Sequence, residues 1–246
     1  MRVISNEELQ DILENHRAWF TEVRDGERAD LSNVDLHGVD LFNVNLQYAD
    51  LHGADLSGAK LQNAELQNAN LQGANLQRAN LYRAQLQNAN LHDASLYKAN
   101  LHSAELQESN LRGTYLGWAD LWCANLNRAD LQNADLLQTK MYNTYMKEVD
   151  RPWLVIVDHI GSRKADTIYL ADIDNVWCGC WNEYSGGTLA EFKIRVDKVY
   201  PTDSKNEECQ RYRIEYLSAI KMFESMREAY LKKCNRGGKS SEGNIE

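Results

Sequence analysis

Residues 69–91 read ANLQGANLQRANLYRAQLQNANL. Every fifth residue from Leu71 to Leu91 is leucine, with a small residue and a short polar residue before it and two variable residues after it. On an α-helix, leucines five apart are rotated by about 140° and form no face. On a flat strand an odd spacing sends successive leucines to opposite sides. Neither element buries all of them. The pattern fits a chain that turns a corner once per pentad, each pentad giving one inward leucine and each coil stacking on the last. That is the logic of a solenoid.

The series extends well beyond this window. Leu31 opens it, it runs unbroken through Leu136, and Met141 and Met146 continue it, for 24 pentads. Two residues before each centre stand alanines, with Val34, Val39, Val44, Ser109, Thr114, Thr139 and Thr144 as the exceptions. A narrow interior requires small residues there, since large ones overpack it.

The stretches ADLHGADL (49–56), ANLQGANL (69–76) and ADLQNADL (129–136) resemble the pentapeptide-repeat family, A-(D/N)-L-x-x. The resemblance covers roughly half the chain. It implies a mainly β fold: a right-handed quadrilateral β-helix of about six coils, about 29 Å long at ~4.8 Å per coil. The expected organisation is an N-terminal capping helix within 1–28, the β-helix over 29–150, a small α+β domain over 151–235 and a disordered tail over 236–246.

With four pentads per coil, residues twenty apart share a column. One column, Gln47, Gln67, Gln87, Gln107, Asn127 and Lys147, reads as an amide ladder along the rod. The next holds Phe42, Gln62, Tyr82, His102, Trp122 and Tyr142. Its aromatics suggest an interaction face of Phe42, Tyr82, His102, Trp122 and Tyr142. The alternative is burial under terminal elements, which applies best to Phe42 and Tyr142. Trp118 and Trp122, in adjacent pentads, could equally pack under the domain that follows.

The chain carries −9 net charge with pI ≈ 5.2, which opposes direct nucleic-acid binding. Residues 29–148 hold 13 acids and 8 bases. Asp30, Asp50 and Asp130 share one column and Asp35, Asp55 and Asp135 another, while Arg78, Arg83 and Lys98 cluster further along. Acidic rows on a rod can imitate a DNA duplex, and the resemblance implies this role, since some family members act as DNA mimics against topoisomerases. Corner chemistry explains Asp and Asn equally, because their side chains bond nearby backbone. The almost uniform central leucine, the absence of inserted loops and the large C-terminal segment depart from the gyrase-protecting members.

The opening SNEELQDILENHRAWFTEV places a capping box, Ser5 with Glu8, before an amphipathic stripe of Leu9, Ile12, Leu13, His16, Trp19, Phe20 and Val23. It predicts a helix over about 6–23 that covers the open end of the first coil. No secretion signal and no membrane-length apolar run is visible, which predicts a cytoplasmic protein. Beyond residue 150, strands are predicted in RPWLVIVDHI, ADTIYL and NVWCGCW. A helix is expected from Thr188 to about Tyr200, and another, capped by Ser204 with Glu207, to about Lys233. The order IGSR…CGCW…GTLAEF is similar to a domain that follows pentapeptide repeats in some phage and bacterial proteins.

Five cysteines and no secretion signal predict reduced thiols. Cys178 and Cys180 are the weak candidates for a metal, with His159, Cys209 and Cys234 as further ligands, and buried core thiols are the simpler reading. His37, His52, His92 and His102 occupy outward positions; the glycines at 38, 53, 58, 73 and 113 fall at corners. No phosphate loop or nucleophile–base pair appears, so no enzyme and no cofactor is expected. The favoured function is a protein-interaction scaffold, with a DNA-mimic inhibitor of a topoisomerase or phage-defence complex as its sharper form. Its partner is then a DNA-binding enzyme, and a homodimer is a further candidate. The alternatives are a C-terminal ligand or metal site with the rod as spacer, and a self-associating structural rod.

Overall fold

The computed structural model describes residues 1–22, 25–141, 144–150, 154–157, 167–170, 175–178 and 187–237. The chain divides into two units, Met1–Arg151 and Pro152–Glu246.

In the first unit, parallel bridges join residues twenty apart, from Asp30↔Asp50 through Asp130↔Asp150. Twenty residues, four pentads, therefore make one coil. The pentad Asp50–Ala54 shows how its backbone groups are satisfied. The Leu51 N–H donates to the Asn70 carbonyl and the Gly53 N–H to the Gln72 carbonyl, both in the next coil. The Asp50 N–H donates to the Ala29 carbonyl of the previous coil, and the Ala54 N–H closes a local turn on Leu51. The fifth, that of His52, donates to the Asp50 side chain at 3.1 Å. All five donors are used, as a closed interior demands.

The side chains follow from this. Leu31 through Leu136 are all essentially buried, as are nearly all the small residues preceding them. The second residue after each leucine or methionine turns the corner with positive φ at every described pentad, in Gly38, Gly53, Gly58, Gly73 and Gly113 but also in Asn, Arg, Lys and Trp side-chain residues. Left-handed backbone in a non-glycine residue costs about 1–2 kcal/mol, and here the inter-coil bonds on either side hold it.

The amide ladder lies in a different column from the one expected. Asn70, Asn90 and Asn110 each donate to the residue twenty before, at 3.0–3.1 Å, starting at Asp50. The glutamines instead bond to the neighbouring column: Gln67 to Gln85 at 2.7 Å and Gln47 to Glu65 at 2.7 Å. The shorter Asn side chain, pinned by its corner bond, is held at the right height to meet its own repeat.

The start of the rod is closed by two elements. Strand β1 (Arg2–Val3) pairs in parallel with β2 (Val34–Asp35), adding an edge to the first coil. Helix α1 (Asn6–Thr21) begins at Ser5, whose hydroxyl accepts the Glu8 N–H, and ends at Glu22 in left-handed conformation, two residues short of the expected end. Its buried residues are Leu9, His16 and Ala18. The stripe is therefore narrower than expected: Trp19 and Phe20 are 37% and 39% exposed. Gly26 packs so closely on α1 that a Cβ would strike the backbone at Trp19 and Asn15.

His16, fully buried, fastens α1 to the rod. Its Nδ1 accepts the Ala29 N–H at 3.0 Å and its ring stacks on Trp19. Burial holds its pKa below the ordinary histidine value, with the nearby Arg28 charge adding to the shift and the Gln47 carbonyl opposing it.

In the second unit, β3 (Leu154–Val157), β4 (Thr167–Leu170) and β5 (Asn175–Cys178) form an antiparallel sheet in chain order. Helix α2 (Leu189–Val199) starts with the Thr188–Glu191 capping box. Helix α3 spans Glu207–Gly237. Its first N–H groups, those of Glu208 and Cys209, bond to Asn206 Oδ1, so Asn206 takes the role expected of Ser204. Ser204 accepts the Asn206 N–H instead. Leu189, Phe192 and Val196 pack against Tyr216, Ala219, Ile220 and Phe223, with Val176 of β5. The expected tail beyond residue 237 lies outside the described residues.

Two outcomes are expected. Leu91→Ala, at a fully buried site, lowers the unfolding free energy by about 2–5 kcal/mol in urea denaturation. For His16, the folded pKa lies below the unfolded value of about 6.5, so its contribution is complete above that pH and is lost as pH falls through the folded pKa. The urea midpoint of the wild type should fall between pH 7.5 and 5.5 (about the range of imidazole titration) by more than that of His16→Asn.

Candidate interaction surface

Each coil presents four faces, which we name by their first leucine: Leu31, Leu36, Leu41 and Leu46. The Leu31 and Leu41 faces are two pentads apart in a four-pentad coil, hence on opposite sides.

The expected aromatic column lies on the Leu41 face. Tyr82, His102 and Trp122 stack with successive ring centroids 5.5 Å apart, all half-buried. One coil of rise separates consecutive members, so rings can meet only because they sit in one column. Phe42, 56% exposed, is separated from this stack by Gln62. Tyr142 lies outside the described residues.

The six aspartates of the two acidic columns all perform the corner role. Ser32 N–H bonds to Asp30, His37 N–H to Asp35, His52 N–H to Asp50, Ser57 N–H to Asp55, Gln132 N–H to Asp130 and Leu137 N–H to Asp135, at 2.9–3.1 Å. Asn70, Asn90 and Asn110 interrupt the first column, and Asn75, Ser95 and Tyr115 the second. The structure therefore brings together two pairs in the opening coils, Asp30 with Asp50 and Asp35 with Asp55, and sets Asp130 and Asp135 apart. The first pair lies on the Leu31 face and the second on the Leu36 face, in the column that Tyr115 continues. Hydrogen bonds from the side chain and backbone of Ser32 hold Asp30 below the ordinary aspartate pKa. Burial opposes ionisation of Asp50 and Asp55, but bonds from His52 and Ser57, with the imidazoles of His52 and His37, outweigh it and lower both.

A second exposed cluster spans several columns, so no single column shows it. Tyr97, Tyr115, Trp118 and Leu137 are 37%, 58%, 53% and 51% exposed on the Leu36 face. Lys98 Nζ lies 5.1 Å from the Tyr97 ring centre and 5.9 Å from that of Trp118. The twenty-residue period links 97 to 137, so the signal was present but spread over three columns. Near α1, Trp19, Phe20, Glu22, Asp25, Gly26 and Tyr48 line an open cavity of about 590 Å³.

Cys123 and Cys209 are free thiols. Cys178 is placed in β5 only as backbone, and Cys180 and His159 lie outside the described residues. Among the described residues no group of three or more His, Cys, Asp or Glu could hold a metal ion, and no helix is long and apolar enough to cross a membrane.

Stacked pentads with leucine inside, an Asp or Asn corner and a twenty-residue coil define a β-helical repeat rod. The chain belongs, through residues 27–147, to the pentapeptide-repeat family: the family model Pentapeptide repeats matches in eight copies over 27–58, 49–84, 74–113 and 109–147. A comparison with curated proteins gives no match. Among solved structures, the pentapeptide repeat protein Rfr23 from the cyanobacterium Cyanothece 51142 is 25% identical, over 56% of this chain and 93% of its own, with a TM-score of 0.34. The pentapeptide repeat protein alr5209 from Nostoc PCC 7120 is 24% identical, over 58% and 94%, with a TM-score of 0.33. Full-length QnrB1, a plasmid-mediated fluoroquinolone resistance protein, is 19% identical, over 51% and 78%, with a TM-score of 0.22.

The corner geometry makes a prediction. Asn keeps the acceptor that Asp55 offers to the Ser57 N–H and Ala removes it. Asp55→Asn should therefore lower the melting temperature less than Asp55→Ala, which should cost about 1 kcal/mol. Because the folded pKa of Asp55 is lowered, its contribution is complete above about pH 4 and lost as pH falls through the folded value. The Ala penalty should shrink in acid.

Proposed function

We propose that this protein is a non-enzymatic interaction scaffold whose contact surface is the aromatic column of the Leu41 face. The observation that carries the reading is the stack of Tyr82, His102 and Trp122, partly exposed on a rod whose interior is already filled. The leucines and alanines account for stability without these rings. Aromatic residues in a fixed array give a partner large contact area at small entropic cost. In this reading residues 29–150 form a right-handed quadrilateral β-helix of about six coils, capped by residues 1–28. Residues 151–235 are a small α+β domain, and the protein works in the cytoplasm with reduced thiols.

The narrower form is a DNA mimic that occupies a nucleic-acid-handling enzyme, such as a topoisomerase or a phage-defence complex. What supports it is charge: Asp30, Asp35, Asp50 and Asp55 gather carboxylates in the opening coils, where Lys60 offsets only Asp40. A basic groove would be drawn to that end of the rod.

Both forms are tested with the purified full chain and a bacterial lysate. The triple variant Tyr82→Ala, His102→Ala, Trp122→Ala should lose partner capture while retaining its melting temperature. Capture that survives the variant overturns the contact face. Asp35→Asn with Asp55→Asn should weaken binding and flatten its salt dependence if mimicry holds. Affinity indifferent to both mutation and salt removes the mimic reading. Capture of the chain by itself alone would replace a foreign partner with a homodimer.

A further inference from the structure

The bases of the rod are unevenly engaged. Lys60 pairs with Asp40, Arg128 with Glu108 and Glu148, Lys140 with Asp120 and Lys147 with Glu148. Arg112 donates to Gln132 at 3.1 Å. Arg78, Arg83 and Lys98 remain, and none of the three has a carboxylate partner among the described residues. All three side chains are exposed.

Their positions coincide with the aromatic column. Arg78 and Lys98 are twenty residues apart at the corner where the Leu36 face meets the Leu41 face. Arg83 occupies the opposite corner of the Leu41 face. The Arg83 guanidinium lies 5.2 Å from the Tyr82 ring centre. Lys98 lies against Tyr97 and Trp118. Between the corners run Tyr82, His102 and Trp122, beside Asn80 and Asn100, which bond to each other at 3.0 Å. Three cations without a carboxylate partner among the described residues thus stand at the two corners of the aromatic strip, Arg83 against its Tyr82 ring and Lys98 against rings of the adjoining Leu36 face. The arrangement lies within a chain of net charge −9, so the whole-molecule field does not account for it.

Cations with no carboxylate partner among the described residues, two of them held beside aromatic rings, favour a partner that brings carboxylates and apolar side chains together. We propose that the Leu41 face, bounded by Arg78, Lys98 and Arg83, recognises an acidic, extended peptide segment of a partner protein. This rests on the scaffold reading above and names the chemistry of its partner. Asp30 and Asp50 lie on the opposite Leu31 face, and Asp35 and Asp55 stand at the far edge of the Leu36 face from the corner that carries Arg78 and Lys98, so the two surfaces can be altered separately. A single-stranded nucleic acid also uses cations and rings, but the acidic chain repels a polyphosphate more than a short peptide with a few carboxylates.

The test uses the full chain and three fluorescent probes. One is a peptide of about ten residues alternating Glu with Leu or Phe, roughly 33 Å when extended. The others are its Gln counterpart and a thymidine oligonucleotide of matching length. Fluorescence anisotropy should show the Glu peptide bound more tightly than the Gln peptide, with affinity falling as salt rises. Arg78→Gln, Arg83→Gln, Lys98→Gln together should weaken it at least about tenfold at unchanged melting temperature. Asp35→Asn with Asp55→Asn should not weaken it. Equal binding of the Glu and Gln peptides, or of wild type and triple-Gln variant, overturns the proposal, as does tighter binding of the oligonucleotide. Failure of the alanine variants to affect lysate capture counts against the scaffold's contact face, whereas equal peptide binding counts only against the acidic partner.

Discussion

One constraint governs the rod: every backbone N–H must find an acceptor while the chain turns four corners in twenty residues. Three of the five donors in a pentad such as Asp50–Ala54 reach neighbouring coils, one closes a turn, and one is left for the side chain at the corner. That last donor explains why Asp or Asn so often precedes the leucine. An Asp or Asn oxygen reaches the N–H two residues on without disturbing the ladder. Leucine then fills the interior, and alanine leaves it room.

The same constraint frees the outer surface. Stability resides in positions that face inward or bond to the next coil, so the first residue after each leucine can vary. Where variation places Tyr82, His102 and Trp122 in one column, the coil rise brings their rings into contact. At the residue before the leucine, Lys60 meets Asp40, and at the positive-φ corner Arg128 lies between Glu108 and Glu148, so charges cancel along the rod. The framed aromatic strip stands out because its cations have no carboxylate partner among the described residues. Function is thus carried by departures from local pairing.

Much of this was legible in the sequence, because a period of five with buried leucine permits few structures. The twenty-residue period alone aligns Tyr82, His102 and Trp122 in one column. Other features depended on geometry that a column cannot express. The amide ladder runs through Asn70, Asn90 and Asn110, and not through the glutamines, because the corner bond fixes the height of the shorter side chain. Trp19 and Phe20 fit a helical stripe, yet the close approach of Gly26 to α1 selects Ala18 for burial. The cluster of Tyr97, Tyr115, Trp118 and Leu137 spans several columns, so no single column revealed it.

The most direct measurement is site-specific photo-crosslinking, with a photoreactive phenylalanine at Tyr82 on the Leu41 face or at Gln72 on the opposite face, in otherwise unaltered full-length protein. The account predicts a discrete crosslinked partner from Tyr82 and none from Gln72. Equal adducts from both positions, or adducts from Gln72 alone, would contradict it.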